Sequence, residues 1–116
     1  MRRGDLFWAE LAPRSGSEQR GRRPVVVISH DAFNEAEAWR SVIVVPLSTS
    51  RQQARRGPTA VALGKDTAGL AVASVVLCHQ VTTLDRAKLV ERIDTLSPAD
   101  LGRVGEGLLV ALGLEP

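Results

Sequence analysis

Apolar and polar residues alternate loosely from Asp5 to Leu11 (DLFWAEL), the period of a strand with one buried face, and Ala12-Pro13 ends the run. Pro24 to Ser29 (PVVVIS) is a short β-branched run without alternation, which predicts a strand buried on both faces. Ser41 to Leu47 (SVIVVPL) predicts a third strand, with Pro46 near its end, where a missing donor is tolerated. Thr59 to Leu63 and Ala73 to Val81 read as further strands. Leu84 to Lys88 reads as a turn of helix, and Ala32 to Trp39 as a helical turn or a covering loop. Leu89 to Leu96 is ambiguous, although Val90, Arg92 and Asp94 alternate in favour of a strand. Between these elements, Arg14 to Arg23 is a loop, and Ser48 to Pro58 (STSRQQARRGP) is polar, basic and aperiodic, the composition of a mobile connection.

The last element has the clearest local signals. Ser97 suits an N-cap, Pro98 the first helical position and Asp100 the third position after the cap, while Gly113 stops the helix. Leu101, Val104, Leu108 and Ala111/Leu112 fall on one face. Gly102, Gly105 and Gly107 each weaken the helix by up to about 1 kcal/mol relative to alanine, and small residues there permit close approach by another element. Leu109 and Val110 lie off the stripe and hint at a second apolar face, such as a contact between two copies. Strands dominate, connections are short and one helix comes last. The expected fold is mainly β: a small, strongly curved antiparallel sheet or barrel with a C-terminal α-helix.

At 116 residues the chain is expected to be a single domain, 1–116. Its one cysteine, Cys78, excludes an internal disulfide and fits a reducing cytoplasm. No secretory signal is visible, since the apolar stretch after the basic start is broken at Glu10, and no run approaches the roughly 20 apolar residues of a membrane span. Net charge is only +2, but residues 1–65 carry eleven Lys/Arg against six Asp/Glu, and residues 66–116 carry four against seven. Such one-sidedness attracts polyanions unless folding mixes the two halves.

The loop Gly16-Ser17-Glu18-Gln19-Arg20-Gly21-Arg22-Arg23-Pro24 concentrates the candidate chemistry. Arginine presents a planar fork of donors that suits a phosphate ester, although a run of this kind also serves as a merely solvated loop. Arg23, beside Pro24 at the mouth of a strand, has the stiffest backbone of the three arginines. Ser48 and Thr49 stand just past the end of the third strand, where a hydroxyl binds a phosphate or bonds its own turn. His79 follows a buried strand run, and a histidine there is packed and hydrogen-bonded more often than catalytic. Other chemistry finds little support: no Cys/His set has ligand spacing, no glycine-rich turn precedes a lysine and Ser/Thr, and no nucleophile elbow occurs. Only Phe7, Trp8, Phe33 and Trp39 are aromatic, too few for a stacking platform for RNA.

The blocks RGD-x-FWAEL-x-P, GSEQ-x-GxRPVVVIS, VVPLST, VVL-x-x-Q-V-x-TLD-x-x-(K/R)L and LSP-x-x-L-x-x-V, in this order over nearly the whole chain, resemble the MazF/PemK family of toxin endoribonucleases. The GSEQ-x-GxRP block is the specific one. The resemblance implies a small SH3-like β-barrel and a homodimer in the cytoplasm. It implies cleavage of single-stranded RNA at short sequences with no metal or other cofactor, by attack of the ribose 2′-OH on the adjacent phosphate. It also implies a cognate antitoxin that lays a disordered segment across the RNA site, an acidic segment if the groove is basic.

Position by position, the resemblance makes Arg23 the catalytic arginine, puts Ser48 where the family usually has threonine, and makes Thr49 the next polar residue of that block. Glu18 and Gln19 match the GSEQ loop, and Gln80 a base-contacting glutamine. Arg20 and Arg22 fall to electrostatics or RNA grip, and Arg51, Arg55 and Arg56 to the loop that gates the groove. The chain departs from the family at His79, where relatives often carry aspartate; histidine there either takes over general acid/base work or is tolerated because Arg23 and Ser48 suffice. The alternative from another class is a non-catalytic gyrase inhibitor resembling CcdB, which acts through a C-terminal Trp-Gly-Ile, whereas this chain ends Gly-Leu-Glu-Pro. A nuclease-dead nucleic-acid-binding module is a third reading, and the retained Arg23 and hydroxyls weigh against it.

Overall fold

A computed structural model of the chain describes residues 1–11, 21–55 and 57–114. Seven antiparallel strands are present among them: β1 (Asp5–Leu11), β2 (Gly21–Val27), β3 (Ser41–Ser48), β4 (Ala60–Leu63), β5 (Ser74–Leu77), β6 (Thr82–Asp85) and β7 (Leu89–Thr95). They are accompanied by a short helix α1 (Asp31–Asn34) and the terminal helix α2 (Pro98–Ala111). The sheet runs β4-β5-β3-β2-β1-β7, with β6 also pairing β3. The expected small antiparallel β architecture with a C-terminal helix is therefore present, except that the sheet path stays open between β4 and β7.

The β-branched run in β2 is buried on both faces, as its lack of alternation predicts. Val26 joins Leu6, Val45, Leu47, Val61, Val76, Val104 and Leu108 in the core beneath α2. Val25 and Val27 point the other way, into a second cluster with Ala9, Val42 and Val44. Each fully buried valine or leucine contributes about 1.5–3 kcal/mol relative to exposure, so these two clusters hold β1, β2 and β3 as the rigid centre of the sheet.

Strand β2 begins at Gly21, inside the stretch read as a loop, because Gly21, Arg22 and Arg23 pair with Leu11, Glu10 and Ala9 of β1, and it ends at Val27. Two further boundaries differ for one shared reason. Strand β3 shares a single edge between two partners: Leu47 and Ser48 pair with Val76 and Val75 of β5, while Ser41 to Val44 pair with Asp85 to Thr82 of β6. The chain must step from one to the other. The run expected from Ala73 to Val81 therefore breaks after Leu77 into a 3-10 turn, Cys78–Gln80. Likewise Leu84 and Asp85 belong to a strand, and the helical turn expected there falls at Arg86–Lys88, where the Asp85 carboxylate accepts from the Ala87 amide. Leu89–Thr95 resolves as a strand.

The segment between β2 and β3 is held by side chains rather than by a ladder. Arg86 donates to the carbonyls of Phe33, Asn34, Ala36 and Trp39 at 2.9–3.2 Å, tying α1 and the turn after it to the end of β6. Buried Asn34 donates to the Ser29 carbonyl and to the Asp31 carboxylate, which also accepts from the Arg3 amide. These bonds, that from Arg3 first, hold the Asp31 carboxyl below its ordinary value.

Helix α2 starts and stops as its sequence predicts. Ser97 Oγ accepts from the Asp100 amide at 3.1 Å. Beyond Leu112, Gly113 adopts φ +69°, and the Gly113 and Leu114 amides donate back to Val110 and Leu109, a Schellman ending. Of the three helix glycines, Gly107 is the one required by packing: a Cβ there would lie 2.8 Å from Cys78 Sγ and 3.2 Å from Val61, whereas one at Gly102 would meet open space.

Gly107→Ala is accordingly expected to destabilise the fold by about 1–3 kcal/mol through overpacking, and Gly102→Ala to stabilise it by up to about 1 kcal/mol, both measured by urea unfolding. Because the carboxyl of Asp31 ionises more readily folded than unfolded, its contribution is present above the ordinary value of 3.8 and fades as pH falls below it. The stability gap between the wild type and Asp31→Asn should thus be constant near neutrality and close on acidification through that range, as followed by unfolding at a series of pH values.

Candidate active site

The site begins with a proline in β2. Strands β2 and β3 pair at Val27↔Val44, Val26↔Val45 and Val25↔Pro46, and the ladder ends there. Ile28 N–H donates to the Ile43 carbonyl, so alternate residues of β2, Val26 and then Pro24, face β3. Pro24 has no N–H to donate across the seam, and the ladder stops there, while the donor missing at Pro46 belongs to the other edge of β3. Continued in the same register, Arg23 stands opposite Ser48 and Arg22 opposite Thr49. On the far side of β3, the pairing Ser48↔Val75 sets Thr49 beside Ser74. Between the parted ends lies an open cleft of about 190 Å³ lined by Arg22, Arg23, Pro24, Leu47, Ser48, Thr49 and Ser74.

Among the described residues no carboxylate lines this cleft. Arg23 is held by β1, where it pairs with Ala9, and its half-buried guanidinium makes no hydrogen bond or ion pair among the described residues. Arg22, opposite Glu10, lies 3.6 Å from Glu91 of β7; both side chains are exposed, so the pair binds weakly and leaves Arg22 free to turn toward an anion. Ser48 Oγ accepts from the Ser50 amide at 3.0 Å, which fixes its rotamer and leaves its own proton to donate. The hydroxyl thus serves its own turn and still faces the cleft. Cationic forks and a hydroxyl donor around a small volume suit a phosphodiester rather than a drug-sized ligand.

Four of the sequence candidates therefore meet: Arg22, Arg23, Ser48 and Thr49. His79 and Gln80 do not line the cleft; they sit in the 3-10 turn that follows β5, at the end of that strand away from Ser74. Arg51 and Arg55 are exposed on the connection that leaves the cleft edge, which carries a 3-10 turn at Gln53–Arg55. Glu18, Gln19, Arg20 and Arg56 lie outside the described residues. Ser74 lines the cleft and had no signal in the sequence, being one serine within a β-rich run. Cys78 is buried beneath α2, its thiol pushed up to about 11 by burial, so it is no nucleophile at neutral pH. Among the described residues no three His, Cys, Asp or Glu side chains gather as a metal site.

Residues 2–112 match the family model described as PemK-like, MazF-like toxin of type II toxin-antitoxin system. The chain belongs to this PemK/MazF toxin family. A curated Endoribonuclease MazF from Staphylococcus saprophyticus is 38% identical over 114 residues, 98% of this chain and 92% of the relative. Among solved structures, an endoribonuclease in complex with its cognate antitoxin from mycobacterial species superposes with a TM-score of 0.78 at 28% identity, covering 100% of this chain and 98% of that one. MazF from Deinococcus radiodurans gives 0.74 at 31% identity, covering 97% and 96%. These relatives bear out the MazF/PemK resemblance and do not favour the gyrase-inhibitor alternative. No helix among the described residues of this MazF-like toxin is long and apolar enough to cross a membrane.

Proposed function

We propose that this MazF-like endoribonuclease toxin cuts single-stranded RNA at short sequences, without a metal ion, by transesterification in the cleft between β2 and β3. The ribose 2′-oxygen forms a bond to the adjacent phosphorus, the bond from phosphorus to the 5′-oxygen breaks, and the 2′-proton leaves as one is delivered to the 5′-oxygen. The products are a 2′,3′-cyclic phosphate and a 5′-OH. Arg23 stabilises the charge of the phosphorane, since a guanidinium donates and does not serve as a base. Ser48 donates to a non-bridging oxygen or relays a proton, with Thr49 beside it. The observation that carries this reading is the Arg23 guanidinium in a cleft where, among the described residues, it has no partner and meets hydroxyls but no carboxylate.

Phosphate contacts from Arg22, Arg51 and Arg55, with Arg20 and Arg56 by resemblance, supply affinity; Glu18, Gln19 and Gln80 supply base contacts. A homodimer and a neutralising acidic antitoxin segment complete the proposal. The exposed Leu109 on α2 and Leu112 at its C-terminal cap offer apolar surface for a second copy, and a solved relative is held in complex with its cognate antitoxin. The site of action is the cytoplasm, where mRNA is available. His79 stands outside the chemistry, because Arg23 and Ser48 suffice.

Incubating the purified protein with a long RNA in excess chelator tests this. The wild type is expected to cut. Arg23→Ala should lose about 10²–10³-fold in rate while keeping its melting temperature, and His79→Ala should stay within about tenfold. A thousandfold loss in His79→Ala would make it the acid or base. Intact RNA with a stalled gyrase would point to the CcdB-like alternative, and intact RNA that stays bound to a nuclease-dead module.

A further inference from the structure

The polar groups of the cleft are not alike in what they can still do. Arg22 and Arg23 are donors only. Ser48 Oγ has accepted the Ser50 amide, and its proton remains. Ser74 has the reverse balance. Its hydroxyl donates to the Val72 carbonyl at 2.9 Å, and with that its single proton is committed. Ser74 is 7% exposed and lines the cleft, and with its proton on Val72 the remaining lone pairs of Oγ are left for a bound group. Ser74 is therefore the cleft hydroxyl that can only accept, whereas Ser48 and Thr49 lie beside the arginines with a proton still to donate.

A phosphodiester oxygen has no proton to offer such an acceptor. A ribose 2′-OH has one, and it stands next to the phosphate that the donors hold. We propose that Ser74 Oγ accepts a hydrogen bond from the 2′-OH of the nucleotide 5′ to the scissile phosphate, orienting the nucleophile and making the cleft select ribose over deoxyribose. This rests on the reading of the cleft as the site of RNA cleavage. Ser74 is a positioning residue: its proton is held by Val72, and it removes none from the 2′-oxygen. The contact holds the 2′-oxygen in line with the phosphorus and leaves charge stabilisation to Arg23.

The test uses oligonucleotides that end at the mapped cut site in a 3′-phosphate, which keep the phosphate and lack the leaving group. They carry 2′-OH, 2′-H or 2′-F at the last sugar; fluorine accepts but does not donate. The wild type is expected to bind the 2′-OH form about threefold to tenfold more tightly than either of the others, the contribution of one hydrogen bond. Ser74→Ala should bind all three alike, at the wild type's affinity for the 2′-H form, and should cut RNA with a lowered kcat. Ser74→Thr, which keeps the acceptor, should retain the preference and keeps the test open if the alanine variant fails to fold.

A ribose preference that survives in Ser74→Ala overturns the inference, as does an equal loss of affinity for all three ligands, or a threonine variant that folds and shows no preference. Failure of the wild type to cut RNA in chelator would instead overturn the underlying reading of the site, so the two failures are told apart.

Discussion

A β-ladder continues only while the facing residues supply N–H and C=O groups, and the β2–β3 seam meets that limit at Pro24, which faces β3 and has no N–H. The cores on either side press these strands together through Val25, Val26 and Val27, so the separation cannot spread inward. It is confined to the ends, where Arg22 and Arg23 leave one strand and Ser48 and Thr49 leave the other. The cleft follows from a donor shortage at a fixed place in a rigid sheet. Its residues are set by register, since opposed positions on β2, β3 and β5 line it in rows.

That origin explains the electrostatics. Arg23 is fixed by β1, yet no carboxylate is near enough among the described residues to neutralise it, so the site keeps a positive charge that the fold does not consume. Around it the hydroxyls are sorted by the backbone groups they meet: Ser48 by an amide, Ser74 by a carbonyl. In the proposed reaction the donors serve the phosphate and the acceptor its neighbour, an arrangement that would not have to be rebuilt as charge develops on the phosphorane. Elsewhere arginines do structural work. Arg86 binds four carbonyls and holds the α1 segment, a role that has no bearing on the cleft.

What the sequence revealed follows the range of the interactions. Helix α2 was legible to its ends because Ser97, Pro98 and Gly113 act within a turn of their own positions. The β2 strand was legible because its valines need burial on both faces wherever the sheet lies. The break after Leu77 was not, because it depends on β3 offering one edge to both β5 and β6, a fact about pairing across the chain. In the site, Arg23 and Ser48 could be picked out by a flanking proline and a strand end, and by the family pattern around them. Ser74 could not, because its value lies in the Val72 carbonyl that takes its proton and in the β3 end that it faces. His79 was left open in the sequence between a packed and a catalytic histidine, and the 3-10 turn after β5 sets it apart from the residues lining the cleft.

The central claim is that the cleft activates the RNA's own 2′-OH rather than a water molecule. Mass spectrometry of the fragments from a short RNA, cut by the wild-type protein in the presence of chelator, reads this directly from the new ends. The account predicts a 2′,3′-cyclic phosphate on the upstream fragment and a 5′-OH on the downstream one. A 3′-OH paired with a 5′-phosphate would show that water attacked and that the 2′-oxygen took no part, and would contradict it.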